Sequence, residues 1–219
     1  MSFTAPQSMA EQIAAHLAQQ IIDGNLVSKQ RIQELKVVAE LDVSRGSVRE
    51  ALLLLEQRHL IEILPRRGAM VAELSAESAT SLFEVFNTLL IRLVILVAER
   101  WQDDELEPLI LQIGEIQKIA QQADRSHFMK QVFHLLDMAY PLARNKILEE
   151  ILVDLQPAIH RCYALAQRFQ PNDGEAAINF FAGLLQAVTT RNTVKVPAVV
   201  DSYISHELDL VLAALKQEQ

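Results

Sequence analysis

Residues 41–55, LDVSRGSVREALLLL, decide how the rest of this chain is read. After the short turn Asp42-Val43, Ser44 stands where its hydroxyl can cap the start of a helix. Val48, Ala51, Leu52 and Leu55 then recur at i, i+3, i+4 and i+7, the apolar stripe of a helix that buries one side. Arg45, Ser47 and Arg49 fall off that stripe. Two arginines about one turn apart therefore face outward, and Gly46 between them lets another surface approach closely. Taken alone, these residues also fit a merely solvated helix face.

The flanking sequence changes that balance. Upstream, residues 31–40 form an amphipathic segment that sets Ile32, Val37 and Leu41 against the same core, so two short helices joined by a tight turn are predicted. In such a helix-turn-helix the second helix offers its first residues to the major groove. There an arginine can donate two hydrogen bonds to a guanine edge, and a serine can serve bases or phosphates. Downstream, HLIEILPRRGAMVAELS places Leu60, Ile61, Ile63, Ala69 and Val71 around the turn Pro65-Arg66-Arg67-Gly68. Two short strands with a basic tip make a wing, which would bring Arg66, Arg67 and the Gly68 backbone N–H near phosphates or the minor groove. Four arginines on two neighbouring elements of an acidic chain are hard to explain as random surface charge.

Residues 9–75 resemble the winged-helix domain of the GntR family of bacterial transcription regulators. The resemblance is carried by Ile13 and Ile22, Asp23-Gly24-Asn25-Leu26, Arg31-Ile32-Gln33-Glu34, the run Val43 to Leu52, Leu55-Glu56 and Pro65-Arg66-Arg67-Gly68. It implies that Ser44, Arg45, Ser47 and Arg49 read the groove and that Arg67 and Gly68 form the wing contact; Arg31 and Arg66 complete the expected DNA-facing set. Ser28-Lys29 stands where the family usually has Pro-Gly. Asp42 stands where it usually has glycine, and Asp is among the few other residues that tolerate a left-handed backbone.

Composition narrows the reading. With 219 residues and 50% hydrophobic content there is apolar material for two cores. A net charge of -8 argues against indiscriminate coating of nucleic acid, because nonspecific affinity comes mainly from neutralising phosphates. It leaves room for an operator binder whose positive charge sits on one face. The single cysteine, Cys162, allows no intramolecular disulfide and suits a reducing cytoplasm. No signal-peptide pattern opens the chain, and the apolar run of residues 88–98 is interrupted by Arg92, so a cytoplasmic protein with no membrane span is expected.

The expected architecture is mostly α: a winged helix-turn-helix with a small β-hairpin wing over residues 1–74, then an antiparallel bundle of six or seven helices over residues 75–219. Residues 1–7 read as disordered. Ser8 can cap a first helix in which Ile13, Leu17 and Ile21 keep a helical period until Gly24. Ser75 can cap a long helix that runs to about Trp101. Beyond it the patterning stays helical, with breaks near 103–104, 124–126, 141–145, 171–174 and 190–192. Pro157 falls inside a helical period and predicts a kink, while Pro197 fits the first turn of the last helix.

An all-helical domain behind this winged helix resembles the FadR-like branch of the family, with its FCD-type domain that binds a small effector and dimerises. Phe133-His134 with Leu136, then Ala143 and Asn145, carry the local match. Many relatives hold a divalent metal with an aspartate one turn before that histidine and two later histidines. Here His134 and His206 match, but Lys130 occupies the aspartate position, and Phe180, Phe181 and Leu184 stand where the third ligand belongs. Two imidazoles beside an ammonium do not close a metal site, although Asp137 and His127 offer improvised ligands. Relatives also often carry an arginine and a glutamate near Phe86 and Leu90, whereas Arg92 lies on a different face. The expectation is no resident metal or other cofactor, and a pocket involving Phe86, Lys130, His134, His160, Phe181 and His206. Its effector is expected to be more apolar than a small dicarboxylate or hydroxy acid. The blander alternatives are that the phenylalanines simply fill the bundle core and that His160 is an ordinary core or surface histidine. Cys162 reads as an inert buried thiol.

These residues point to a homodimeric transcription regulator, more readily a repressor, that reads a palindromic stretch of double-stranded operator DNA under control of a small molecule. A ligand-independent module that binds DNA and dimerises is the alternative. An enzyme with an accessory winged helix is disfavoured, because no nucleophile motif, phosphate loop or paired-acid spacing is present.

Overall fold

A computed structural model describes residues 8–120, 125–169 and 174–218, and the chain divides into two compact units, Met1–Leu74 and Ser75–Gln219. In the first, α1 (Met9–Ile22) is opened by a reciprocal cap. Ser8 Oγ accepts the Glu11 N–H at 3.2 Å while the Glu11 carboxylate accepts the Ser8 N–H at 2.7 Å. Those bonds hold the Glu11 carboxyl below the ordinary carboxylate range. Helices α2 (Glu34–Leu41) and α3 (Arg45–Gln57) follow, with α1 and α2 both packed on α3. The stripe read from the sequence is the core: Val48, Ala51, Leu52 and Leu55 are buried together with Ile13, Leu17, Ile21 and Val37.

The hairpin β1 (Ile61–Leu64) and β2 (Gly68–Val71) is antiparallel, with Leu64 opposite Gly68 and Ile61 opposite Val71. Leu60, Ile61, Ala69 and Val71 are buried, but Ile63 is exposed. The expected start of the second helix needs correction. Residues 29–32 are not helical; they run along the outer edge of β2. Val71 N donates to Gln30 O, Lys29 N to Val71 O and Ile32 N to Ala69 O, each at 2.9 Å, and Arg31 bridges Met70. An uncovered edge would leave β2 amides and carbonyls without partners, and covering it this way still buries Ile32. The side-chain period of the segment could not distinguish the two placements, since Ile32 is inward in both.

The second unit holds α4 (Ala76–Arg100), α5 (Glu107–Ile119), α6 (Arg125–Ala143), α7 (Lys146–Phe169), α8 (Gly174–Thr189), a 3-10 turn at Thr193–Lys195, and α9 (Val196–Glu218). Ser75 caps α4 through the Ser78 N–H. By length and composition α4 could cross a membrane, yet it is the helix on which α6, α7, α8 and α9 all pack, and Phe83, Phe86, Leu90, Leu93 and Val97 are buried there. Its apolar character is that of a core helix.

Pro141 lies within α6, and the break comes after it, where Arg144 takes a positive φ of 45°. Helix α7 continues through Pro157, and Pro197 sits in the first turn of α9. Residues 1–7, the stretch before Arg125 and most of the expected break at 171–174 lie outside the described residues. The last carbonyls of α4 are closed by arginines from elsewhere in the bundle: Arg144 Nη1 donates to Arg100 O at 2.7 Å, and Arg191 donates to Ala98 O, Glu99 O and Trp101 O. The Arg191 guanidinium also lies 4.1 Å from the centre of the Trp101 ring.

Candidate DNA interface and bundle cavity

The turn before α3 depends on Asp42, which takes the left-handed conformation at φ 51°, ψ 50° and ends α2. Ser44, the N-cap of α3, accepts the Ser47 N–H at 3.1 Å, and its hydroxyl lies 2.9 Å from the Ser47 hydroxyl. The two serines are therefore spent partly on each other and on the helix start, and they present a single small polar patch at its N-terminus, where backbone N–H groups favour anions. Arg45 and Gly46 are exposed beside that patch. Arg49 is exposed too, but its Nε donates to Glu34 Oε2 at 3.1 Å. That ion pair is a residue relation the sequence did not reveal: fifteen positions separate the partners, and no local period links them. It holds the base of the guanidinium against α2, which leaves the two η-nitrogens as the edge available to a guanine.

At the wing, the loop 65–67 carries Arg66 at φ 65°, and Gly68 follows at φ 79°, a value that side chains rarely tolerate. Arg66 and Arg67 are exposed. Because residues 29–32 edge the sheet, the Arg31 guanidinium comes to Gly68: a Cβ on Gly68 would stand 3.9 Å from Arg31 Nη2. Arg31 is thus a wing residue and not a helix residue. Strand β1 is tied to α3 by the Ile63 N–H, which donates to Glu56 Oε1 at 2.9 Å. The candidate residues form two clusters, Ser44-Arg45-Ser47-Arg49 on α3 and Arg31-Arg66-Arg67-Gly68 on the wing.

The bundle holds a cavity with about 100 Å³ of empty space large enough for water. Its walls come from α4, α5, α6, α8 and α9 with Tyr163 of α7, and the surface they turn to the space is almost wholly hydrocarbon. Burial keeps Tyr163 protonated, its pKa well above the ordinary phenol value. Of the six residues expected at a pocket, Phe86 and Phe181 line this cavity. Lys130 and His134 do not; both are exposed, because Met129, Val132, Phe133 and Leu136 take the inward face of α6 and turn them outward. His160 packs against Phe133, ring centres 5.1 Å apart, and does not line the cavity. His206 lines a second, more open recess between α8 and α9.

The residues present do not fit the metal that the family resemblance implies. No three His, Cys, Asp or Glu side chains converge among the described residues. His134 and His206 are not brought together at the cavity, and Phe180, Phe181 and Leu184 fill the place of the missing ligand with hydrocarbon. Burial pushes the Cys162 thiol up to about 12, so it stays protonated and inert at neutral pH.

A capped groove-sized helix with exposed arginines, a wing with a basic tip and a helical second unit define a winged-helix transcription regulator. The model for bacterial regulatory proteins of the gntR family matches residues 9–71, and the model for the FCD domain matches residues 81–206. The chain belongs to the GntR family, a family of transcription regulators and not of enzymes, and carries the FCD type of second domain. It is 26% identical over 152 residues to the uncharacterized HTH-type transcriptional regulator YdhC of Bacillus subtilis, an alignment that covers 68% of this chain and 67% of that protein. It is 30% identical over 135 residues to the gluconate operon transcriptional repressor of the same organism. There the alignment covers 58% of this chain and 53% of the repressor, so it spans about half of that relative's length. Among solved structures, E. coli McbR/YncC superposes with a TM-score of 0.76 at 18% identity, covering 98% of this chain and 100% of that one. A putative GntR regulator from Rhodococcus sp. RHA1 gives 0.66 at 19%, covering 94% and 99%. At such identities these two speak to the fold alone.

Proposed function

We propose that this protein is a cytoplasmic, homodimeric repressor that reads a palindromic operator, with Arg45 and Arg49 on base edges, Ser44 and Ser47 at the adjoining phosphates or bases, and Arg31, Arg66, Arg67 and the Gly68 amide along the neighbouring backbone. The observation that carries the reading is the arrangement at Arg49: an exposed guanidinium on the second turn of a capped helix, fixed through Nε by Glu34, with its forked edge free of that contact. A side chain so held loses less freedom when it meets a guanine than a loose one. Two such helices related by a two-fold axis read an inverted repeat, which is the reason for the palindrome. Repression needs only occupation of a promoter.

We further infer that the bundle takes a small molecule that changes operator affinity, and that it does so without a resident metal. The apolar lining of the cavity supports a ligand more apolar than a small carboxylate. The test is selection of genomic fragments by the purified protein, followed by anisotropy titrations on the recovered sequence. The expected result is a short inverted repeat bound by two chains. Recovery of fragments with no common sequence, or of a single half-site bound by one chain, overturns the operator reading.

A further inference from the structure

The apolar cavity and the open recess share two walls, Phe180 of α8 and Tyr203 of α9. These rings are stacked, with centroids 4.1 Å apart and planes 9° from parallel. On the inner side lies about 100 Å³ bounded by hydrocarbon. On the outer side lies about 490 Å³ that opens to solvent and is lined by Asn179, Ser202 and His206 along with small apolar residues. The two spaces differ in chemistry and meet at this ring pair, which lines both. Among the described residues no Lys, Arg, Asp or Glu lines either one, so, His206 apart, a ligand carrying a full charge meets no ionised side chain in them.

We propose that this composite site binds a small, uncharged amphipathic molecule: a short hydrocarbon end enters the inner cavity past the Phe180–Tyr203 stack, and a neutral hydroxyl or amide end stays in the recess with Asn179, Ser202 and His206. Size sets the hydrocarbon end. A cavity of about 150 Å³ accepts benzene, so the inner space suits a chain of about three or four carbons. The ring pair opens by turning and not by separating helices. One turn beyond Phe180, Gly183 lies against Val199, whose Cγ1 would be 3.1 Å from an added Cβ, and this close crossing keeps α8 and α9 together while the rings move. For its regulatory meaning the proposal rests on the effector reading above; the binding itself does not.

The test uses the full-length protein and three probes that share one propyl group: 4-propylphenol, propylbenzene and 4-propylbenzoate. Binding is followed by thermal shift and by the fluorescence of Trp101. The expected order is 4-propylphenol tightest, propylbenzene at least several-fold weaker, and 4-propylbenzoate at least tenfold weaker than the phenol. Ala139→Leu, which grows a side chain into the inner cavity, should abolish binding of the phenol; Val132→Leu makes the same test should that variant fail to fold. Ser202→Ala with His206→Ala should erase the advantage of the phenol over propylbenzene and leave propylbenzene binding in place. No binding by any probe, benzoate binding as tight as the phenol, or phenol binding indifferent to the cavity-filling variants overturns the site. Phenol binding that obeys these variants but leaves operator affinity unchanged upholds the site and removes the effector role from the proposed function.

Discussion

The two domains carry their candidate functions in opposite ways. Residues 1–74 hold eight Lys or Arg against nine Asp or Glu, a net of -1, so the remaining -7 of the chain's -8 lies in residues 75–219. In the near-neutral domain what matters is projected outward: guanidinium groups on α3 and on the wing. In the acidic domain what matters is a space that side chains leave empty. Projection is governed by short-range rules, such as a cap, a helical period and a turn residue with positive φ. A void is the remainder after several helices pack, and no local rule states its shape. The difference also separates the tests, since a projected arginine can be removed without touching the core and a cavity wall cannot.

The largest effect is expected where the bundle has no slack. Phe83 of α4 is fully buried and meets Tyr163 edge-on at 5.7 Å between ring centres. Phe83→Ala should destabilise the bundle by about 3–5 kcal/mol. Trp101 is the one tryptophan in the sequence and its Nε1 donates to Val188 O at 3.1 Å. Its fluorescence during urea unfolding therefore reports this domain, and an unmoved midpoint would mean that the core around α4 is wrongly described. Next comes the outward face. Arg45→Ala and Arg49→Ala should each weaken operator binding by about 1–3 kcal/mol and relax sequence preference, while leaving unfolding almost unchanged. Operator affinity that is unaltered in both variants sinks the groove assignment. A smaller and differently shaped effect is expected at the wing. Arg67→Ala should weaken binding evenly across sequences and reduce the slope of log affinity against log salt by about one. A change in sequence preference there would move Arg67 from the backbone to a base.

The contrast between projection and void also explains what could be read in the sequence. Ser44, the Val48-Ala51-Leu52-Leu55 stripe and the hairpin tip are local patterns, and the structure carries each one as expected. Arg31 was misplaced because its environment is made by β2, some forty residues away in the chain. In α6 the pair Phe133-His134 is adjacent in sequence but faces opposite ways: Phe133 lines the cavity and His134 meets solvent. The matching of His134 to a ligand position gave its place on the helix and not its direction. The stack of Phe180 on Tyr203 joins two residues twenty-three positions apart on different helices, and nothing in either stretch announces it.

The cap offers a finer test of the first domain. Ser44 Oγ holds the Ser47 N–H, so Ser44→Ala should lower stability by about 1 kcal/mol. Operator binding should fall by more than an unfolding loss explains if the hydroxyl also serves the DNA. Equal stability in circular-dichroism melts would show that another group satisfies the helix start.

The smallest effect belongs to Asp42→Gly, where two opposing terms nearly cancel. At φ 51°, ψ 50° an L residue with a Cβ is strained, and glycine removes that strain. Glycine also enlarges the conformational freedom of the unfolded chain, a penalty of similar size. Asp42→Gly should therefore change stability by no more than about 0.5 kcal/mol, by the near-balance of these terms. Asp42→Val has no such offset, because a β-branched side chain is a steric outlier in this conformation. It should lower stability by about 1–2 kcal/mol and loosen operator binding, since the turn sets the angle at which α3 leaves α2. If valine were as harmless as glycine in urea melts, the turn would not have the left-handed backbone on which the placement of Arg45 and Arg49 depends.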